Sequence, residues 1–293
     1  MTLNITLTPI HYAGYSIKSY HDGETIPLFW NKLFSDRTQL QYAYAQLPFI
    51  CPPSGRHHLS GLTSGASLTL NLGEVLRGDR ITVSDYDLKV GEDQEIRYLC
   101  SHEVDARDLR WARELIQEGY EAEWIVDNLP GATSFVTTDK TRKYYAAGFK
   151  LGYADVDEMG VLDTRFYINN HVTLVIRYHR APGRDGDQGK KVVVGFEVYP
   201  KSIEAGHRDP ETGLPADLNS VEHGMELSLR ANASYISGNE TYSNPLEAGL
   251  TDADITDSNG KLTIPYTYSV YWREDEGLEW GRRWDMYFAD EEG

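Results

Sequence analysis

Few residues in this chain are placed as chemistry would need them. Its two cysteines, Cys51 and Cys100, could form a disulfide, which belongs to an oxidising compartment, or stay as two buried thiols. Far apart and without a C-x-x-C pair, they cannot build a zinc site alone. GRDGDQGKK from Gly183 has the composition of a phosphate loop. However, five residues separate Gly183 from Gly189 instead of four, and Lys191 stands where Ser or Thr should follow Lys190. It reads as a polar hairpin tip. DVDEMG from Asp155 opens like a calcium loop, yet its fifth position is Met159 and its twelfth is Phe166, so the bidentate carboxylate is missing. Asp252, Asp254, Asp257 and Asn259 form a second acidic loop with oxygen ligands to offer. His57 and His58 point apart in an extended chain and read as a solvated pair, while His171 and His179 read as sheet histidines.

There is no G-x-S-x-G, H-E-x-x-H or G-x-G-x-x-G, and no glycosidase carboxylate pair can be chosen among 45 acidic residues. The reading assigns no catalytic residue, no cofactor and no metal. Asn4, Asn232 and Asn239 each open an N-x-[ST] sequon, a mild push toward the secretory pathway.

The whole chain sets the frame for these residues. It has 293 residues, 28 basic against 45 acidic, and a net charge of −17. Nucleic-acid binding needs a basic face for counterion release, so it is excluded as a class, and docking on anionic lipid is opposed. Protonating all nine histidines takes −17 to −8, which roughly halves the field in an acidic lumen. No stretch approaches the ~20 apolar residues of a membrane span. The N-terminus, MTLNITLTPIHYAGY, lacks the basic and apolar regions of a signal peptide. Either the protein is cytoplasmic or this is a piece of a longer chain.

Twenty Tyr and six Trp favour half-buried pleated surfaces, so the chain reads as mainly β. One amphipathic helix is signalled near 105–118. Asp105 and Asp108 form its start, Leu109, Ala112, Leu115 and Ile116 repeat on one face, and Gly119 closes it. Strands are predicted at 26–34, 81–90, 123–126 and 134–138, the last two separated by a turn at Leu129, Pro130 and Gly131. VTLVIRY from Val172 and VVVGFEVY from Val192 read as a hairpin. Ile264, Tyr266, Tyr268, Val270 and Trp272 share one strand face by period two. The pattern predicts an antiparallel β-sandwich-like fold in a single domain over 1–293, with a weak candidate subdivision at 129–141.

Several strings together resemble one family, the nonaspanins of the transmembrane nine superfamily, also called endomembrane protein 70. They are LFWNKLFSDRTQLQYAYAQLPFICPP from Leu28, NLGEVLRGDR from Asn71, VDNLPGA from Val126, GFKLG from Gly148, NNHV from Asn169, VVGFEVYPKS from Val193 and IPYTYSVYWREDEGLEWGRRWDMY from Ile264. They keep the family's order over nearly the whole chain. The resemblance implies the lumenal N-terminal domain of a Golgi or endosomal multispanning protein. The family's signal peptide and nine membrane helices are absent here, so an activity seated in the membrane part is not carried over. The later-loop cysteines of some animal members are also absent, which points to a distant, fungal-type member.

It further implies a Cys51–Cys100 bridge. Trp280, Trp284, Asp285 and Tyr287 would lie near the membrane, just ahead of the first span. The implied role is non-enzymatic: sorting, trafficking or surface delivery of other membrane proteins, and adhesion. The implied partners are cargo or partner ectodomains and the protein's own transmembrane domain. The rival reading is a lectin-like or calcium-dependent carbohydrate or adhesion module.

Overall fold

The computed structural model describes residues 18–53, 81–136, 143–156, 164–181, 189–204, 214, 224–229, 235–237, 240–242 and 261–287. Twelve main elements carry the fold: β1 (Leu28–Ser35), β2 (Thr38–Ala43), β3 (Gln94–Val104), α1 (Ala106–Gln117), β4 (Glu121–Val126), β5 (Ala132–Val136), β6 (Lys143–Ala147), β7 (Gly152–Val156), β8 (Thr164–Ile168), β9 (His171–Arg180), β10 (Lys191–Lys201) and β11 (Leu262–Glu274).

Of two six-stranded sheets, the larger, with the longer strands, runs in the order β6-β5-β10-β9-β11-β3. A second sheet runs from Phe149–Lys150 through β4 and β1 to β2, with Thr82–Val83 added to β1 and Leu129–Pro130 to β4. β7, β8 and Met225–Glu226 make a third. Among the described residues the architecture is mainly β with a single α-helix, and most pairings are antiparallel. The exceptions there are β9 beside β11 and the one-residue contact of β10 with β5, both parallel.

Alternation explains the core. Along β11, Ile264, Tyr266, Tyr268, Val270 and Trp272 all face inward and are buried. From the second sheet come Leu28, Trp30 and Leu33 of β1 and Ala122, Trp124 and Val126 of β4. Aromatic rings join the two sets. Trp30 and Trp124 pack with Tyr44 and Tyr86, and Tyr86 meets Tyr268 edge-on with ring centroids 4.7 Å apart. Burial pushes the Tyr86 and Tyr266 hydroxyls well above their ordinary pKa, so these rings stay neutral while folded.

The helix forms where its signals predicted. The Asp105 side chain accepts from the Asp108 amide at 2.9 Å, and Gly119, at φ +72°, closes the C-terminus. Leu109, Ala112, Leu115 and Ile116 are its buried face. Ile116 lies over Gly152, where a Cβ would fall 2.1 Å from the Tyr167 carbonyl oxygen, so β7 needs glycine at that point.

Two strand readings change. The predicted strand at 81–90 is two short pieces, Thr82–Val83 and Leu88–Lys89, pairing with different partners. Between them the Ser84 amide and hydroxyl both donate to the Leu28 carbonyl, and the Tyr86 amide turns back onto the Ser84 hydroxyl, so the chain leaves β1 there. The turn after β4 falls on Asp127 and Asn128, both at positive φ, and not on Leu129, Pro130 and Gly131. Short polar side chains tolerate that region, which leaves Leu129 and Pro130 to pair back on β4.

Candidate functional site: a docked C-terminal strap

Two closures hold the large sheet, one at a margin and one along an open half-edge inside it. At the β3 side, Cys51 and Cys100 form a disulfide with Cα atoms 6.0 Å apart. The Pro-rich loop that carries Cys51 is also pinned by hydrogen bonds. His102 Nε2 donates to the Pro48 carbonyl at 2.8 Å, and the Tyr266 hydroxyl donates to the Phe49 carbonyl at 2.5 Å. Phe49 and Ile50 are buried beneath it.

The other closure lies on the β5-facing side of β10, within the sheet. The register of β10 with β5 is the single pair Glu197 and Ala132, so the half-edge from Lys191 to Phe196 has no β5 partner. Pieces from both ends of the described chain cover it. Tyr20 and Lys191 exchange two backbone hydrogen bonds of 2.8 and 2.7 Å. From the other end, two short 3-10 turns, Trp280–Arg282 and Asp285–Tyr287, form a strap over the same edge.

Arg283 is the strap's inward residue, only 6% exposed. Its Nη1 donates to Asp127 Oδ2 at 2.9 Å and to the Val193 carbonyl at 3.1 Å, and the guanidinium lies 4.5 Å from the Trp280 ring centre. The second carboxylate oxygen of Asp127 accepts from the Tyr20 hydroxyl at 3.0 Å. Burial raises the Asp127 carboxyl above its ordinary pKa, and Arg283, Tyr20 and Lys18 oppose that rise. Burial and the neighbouring Asp127 push the Tyr20 hydroxyl up. Tyr287 completes the docking: its hydroxyl donates to the Pro130 carbonyl at 2.9 Å.

A second polar cluster sits on the same sheet. Glu197, buried on β10, pairs with Arg177 of β9 and accepts from the Tyr199 hydroxyl, which also bonds Ser134 at 2.6 Å. His171 is buried nearby on β9, hydrogen-bonded to Thr267 at 2.9 Å, and His179 meets the Asp275 carbonyl. Both are sheet histidines, as their spacing suggested.

Of the residues singled out in the sequence, Cys51 and Cys100 meet, and Trp280, Trp284, Asp285 and Tyr287 gather in the strap. Trp284 is exposed and packs on Tyr287 with ring centroids 5.7 Å apart, and Asp285 pairs with exposed Arg282. Asn4, Asn232, Asn239, His57, His58, the 183–188 loop and the acidic loop at 252–259 lie outside the described residues, as does most of the calcium-like loop. Among the described residues no cluster of His, Cys, Asp or Glu is placed to hold a metal ion, and no helix is long and apolar enough to cross a membrane. Sequence reasoning gave no role to Tyr20, Asp127, Arg283, Arg177 or Glu197. Asp127 and Arg283 do stand in the family-like strings VDNLPGA and WGRRWDMY, the one signal that could have flagged them.

These features define a mainly β, disulfide-closed, acidic protein whose C-terminal strap is tied into its largest sheet. Comparison with known sequences gives the family. The model described as Endomembrane protein 70 matches residues 41–292. A yeast (Saccharomyces cerevisiae) protein, "Transmembrane 9 superfamily member 3", is 37% identical over 92% of this chain and 31% of its own length. Human "Transmembrane 9 superfamily member 4" is 31% identical over 95% of this chain and 39% of its own length, and "Transmembrane 9 superfamily member 10" of Arabidopsis thaliana is 28% identical over 98% and 39%. The chain belongs to the endomembrane protein 70 family, the transmembrane 9 superfamily. It spans between about a third and two fifths of the length of these relatives. No solved structure matches it.

Proposed function

We propose that these residues are the lumenal N-terminal domain of a multispanning membrane protein of Golgi or endosomal membranes. The domain acts without catalysis, as a scaffold for the sorting, trafficking or surface delivery of other membrane proteins and for adhesion. Its partners are cargo or partner ectodomains and the protein's own transmembrane domain. The observation that carries this reading is the family match, which covers most of this chain but well under half of relatives named as transmembrane proteins. The Cys51–Cys100 disulfide supports it, because such bridges persist in oxidising lumens. On this reading Trp280, Trp284, Asp285 and Tyr287 lie near the membrane.

Two measurements test it. An epitope inserted at the exposed turn around Gly277 of the full-length protein should resist protease in sealed Golgi or endosomal vesicles and become sensitive once detergent is added. Digestion in intact vesicles would overturn the lumenal placement. Depleting the full-length protein should redistribute a subset of surface membrane proteins into internal compartments. An unchanged surface proteome would overturn the sorting role.

A further inference from the structure

We propose that the strap over residues 280–287 is a latch, with Arg283 as its bolt, that fixes the direction in which the chain leaves the β body. Its significance for a membrane-attached head rests on the reading above; the latch itself stands on the following geometry.

The first observation is the incomplete edge. Among the described residues, β10 has a strand partner toward β5 only at Glu197. An unpaired half-strand beside it would expose backbone groups and invite pairing with other chains. The strap meets that need with side chains: Arg283 takes the Val193 carbonyl on the open half-edge, and Tyr287 anchors the strap's far end on the Pro130 carbonyl. The second observation is selectivity. Gly281, Arg282, Trp284 and Asp285 are all exposed, and Arg283 between them turns inward. Taking a guanidinium out of water costs several kcal/mol unless partners replace its hydration. Asp127, the Val193 carbonyl and the Trp280 ring are those partners, so the strap has one favourable seat. The third is convergence. Asp127 is held in the positive-φ turn after β4, and Tyr20 ties the N-terminal piece to the same carboxylate. Three distant parts of the chain therefore share one buried ion pair, and an altered strap position would leave Asp127 buried without its cation.

Such a seat makes the strap move with the sheet instead of swinging from it. The interaction surface is the β10 edge with Asp127, and its partner is this chain's own strap.

Hydrogen exchange of the full-length protein tests the latch. The amides of Arg282, Arg283 and Tyr287 bond within the strap's own short turns, which are too small to persist undocked. In the wild type they should be protected. Arg283→Ala should raise their exchange by about 150-fold or more, as expected for removing one partner of a buried pair, while β9 and β11 stay protected. Arg283→Lys should fall between the two, because an ammonium keeps the charge but loses the planar fork. Should Arg283→Ala fail to fold, Tyr287→Phe gives the second reading: a smaller rise confined to the same peptides. Unprotected strap amides in the wild type, or unchanged exchange in these variants, would overturn the latch. The protease-protection result is independent, so a protected strap with a cytosolic epitope would sink the lumenal reading and leave the latch standing.

Discussion

Arg282 and Arg283 are neighbours of identical chemistry, and each pairs with an aspartate. Arg282 meets Asp285 at 3.0 Å, and Arg283 meets Asp127 at 2.9 Å. Distance does not separate the two pairs, but surroundings do. The outer pair is 73% and 59% exposed and spans one local turn, whereas the inner pair is 7% and 2% exposed and joins residues distant in sequence. In water the Coulomb attraction is screened and two long side chains must be ordered to gain it, so the outer pair adds little. Inside, neither ion has water to return to, and each is costly without the other. One bond therefore decorates the strap and the other holds it down.

The largest expected effect breaks the inner pair. Arg283→Ala should lower unfolding stability by about 3–5 kcal/mol, measured by chemical denaturation. A loss no larger than that of Arg282→Ala would erase the contrast. The disulfide provides a closure of similar size and different origin. Replacing Cys51 and Cys100 with Ser should cost about 4 kcal/mol, mainly by freeing the unfolded chain. Added salt should leave that loss unchanged, and the strap amides should keep their protection.

The next effect is a dependence on pH. Burial is the largest influence on Asp127 and raises its pKa, so the folded chain binds this proton more readily than the unfolded chain does. The group's contribution to stability is then most favourable below the ordinary carboxylate pKa and declines as pH rises through the raised value. Melting temperatures of wild type and Asp127→Asn, compared from pH 7 to pH 4, should shift in favour of the wild type as pH falls. A shift the other way would mean that Arg283 outweighs burial. The smallest effect belongs to the outer pair. Arg282→Ala should change stability by less than about 1 kcal/mol, and about 0.5 M salt should remove most of it.

Local features of the fold were legible in advance because local physics decides them. Asp105, Gly119 and the repeat of Leu109, Ala112, Leu115 and Ile116 specify a helix within one short window. Ile264 through Trp272 declare a strand's inward face, since period two is a property of the strand alone. The hairpin of β9 and β10 was readable because its strands are neighbours in sequence and turn-rich residues separate them. The 81–90 segment misled because alternation does not reveal that Ser84 takes a carbonyl from β1. The turn at Asp127 and Asn128 was placed too late, as Pro and Gly punctuated more loudly than two short polar residues.

Residue order and type were enough for the β-rich class, the helix, the acid excess and, through the ordered family strings, the endomembrane protein 70 membership. Which strands became neighbours was left to packing, including β11 running parallel to β9, because period two names a strand's face and not the strand beside it. Packing also chose which of two adjacent arginines is buried. Arg283 gains from burial only where Asp127, 156 residues earlier, waits beside an open strand edge, and no local pattern carries that distance.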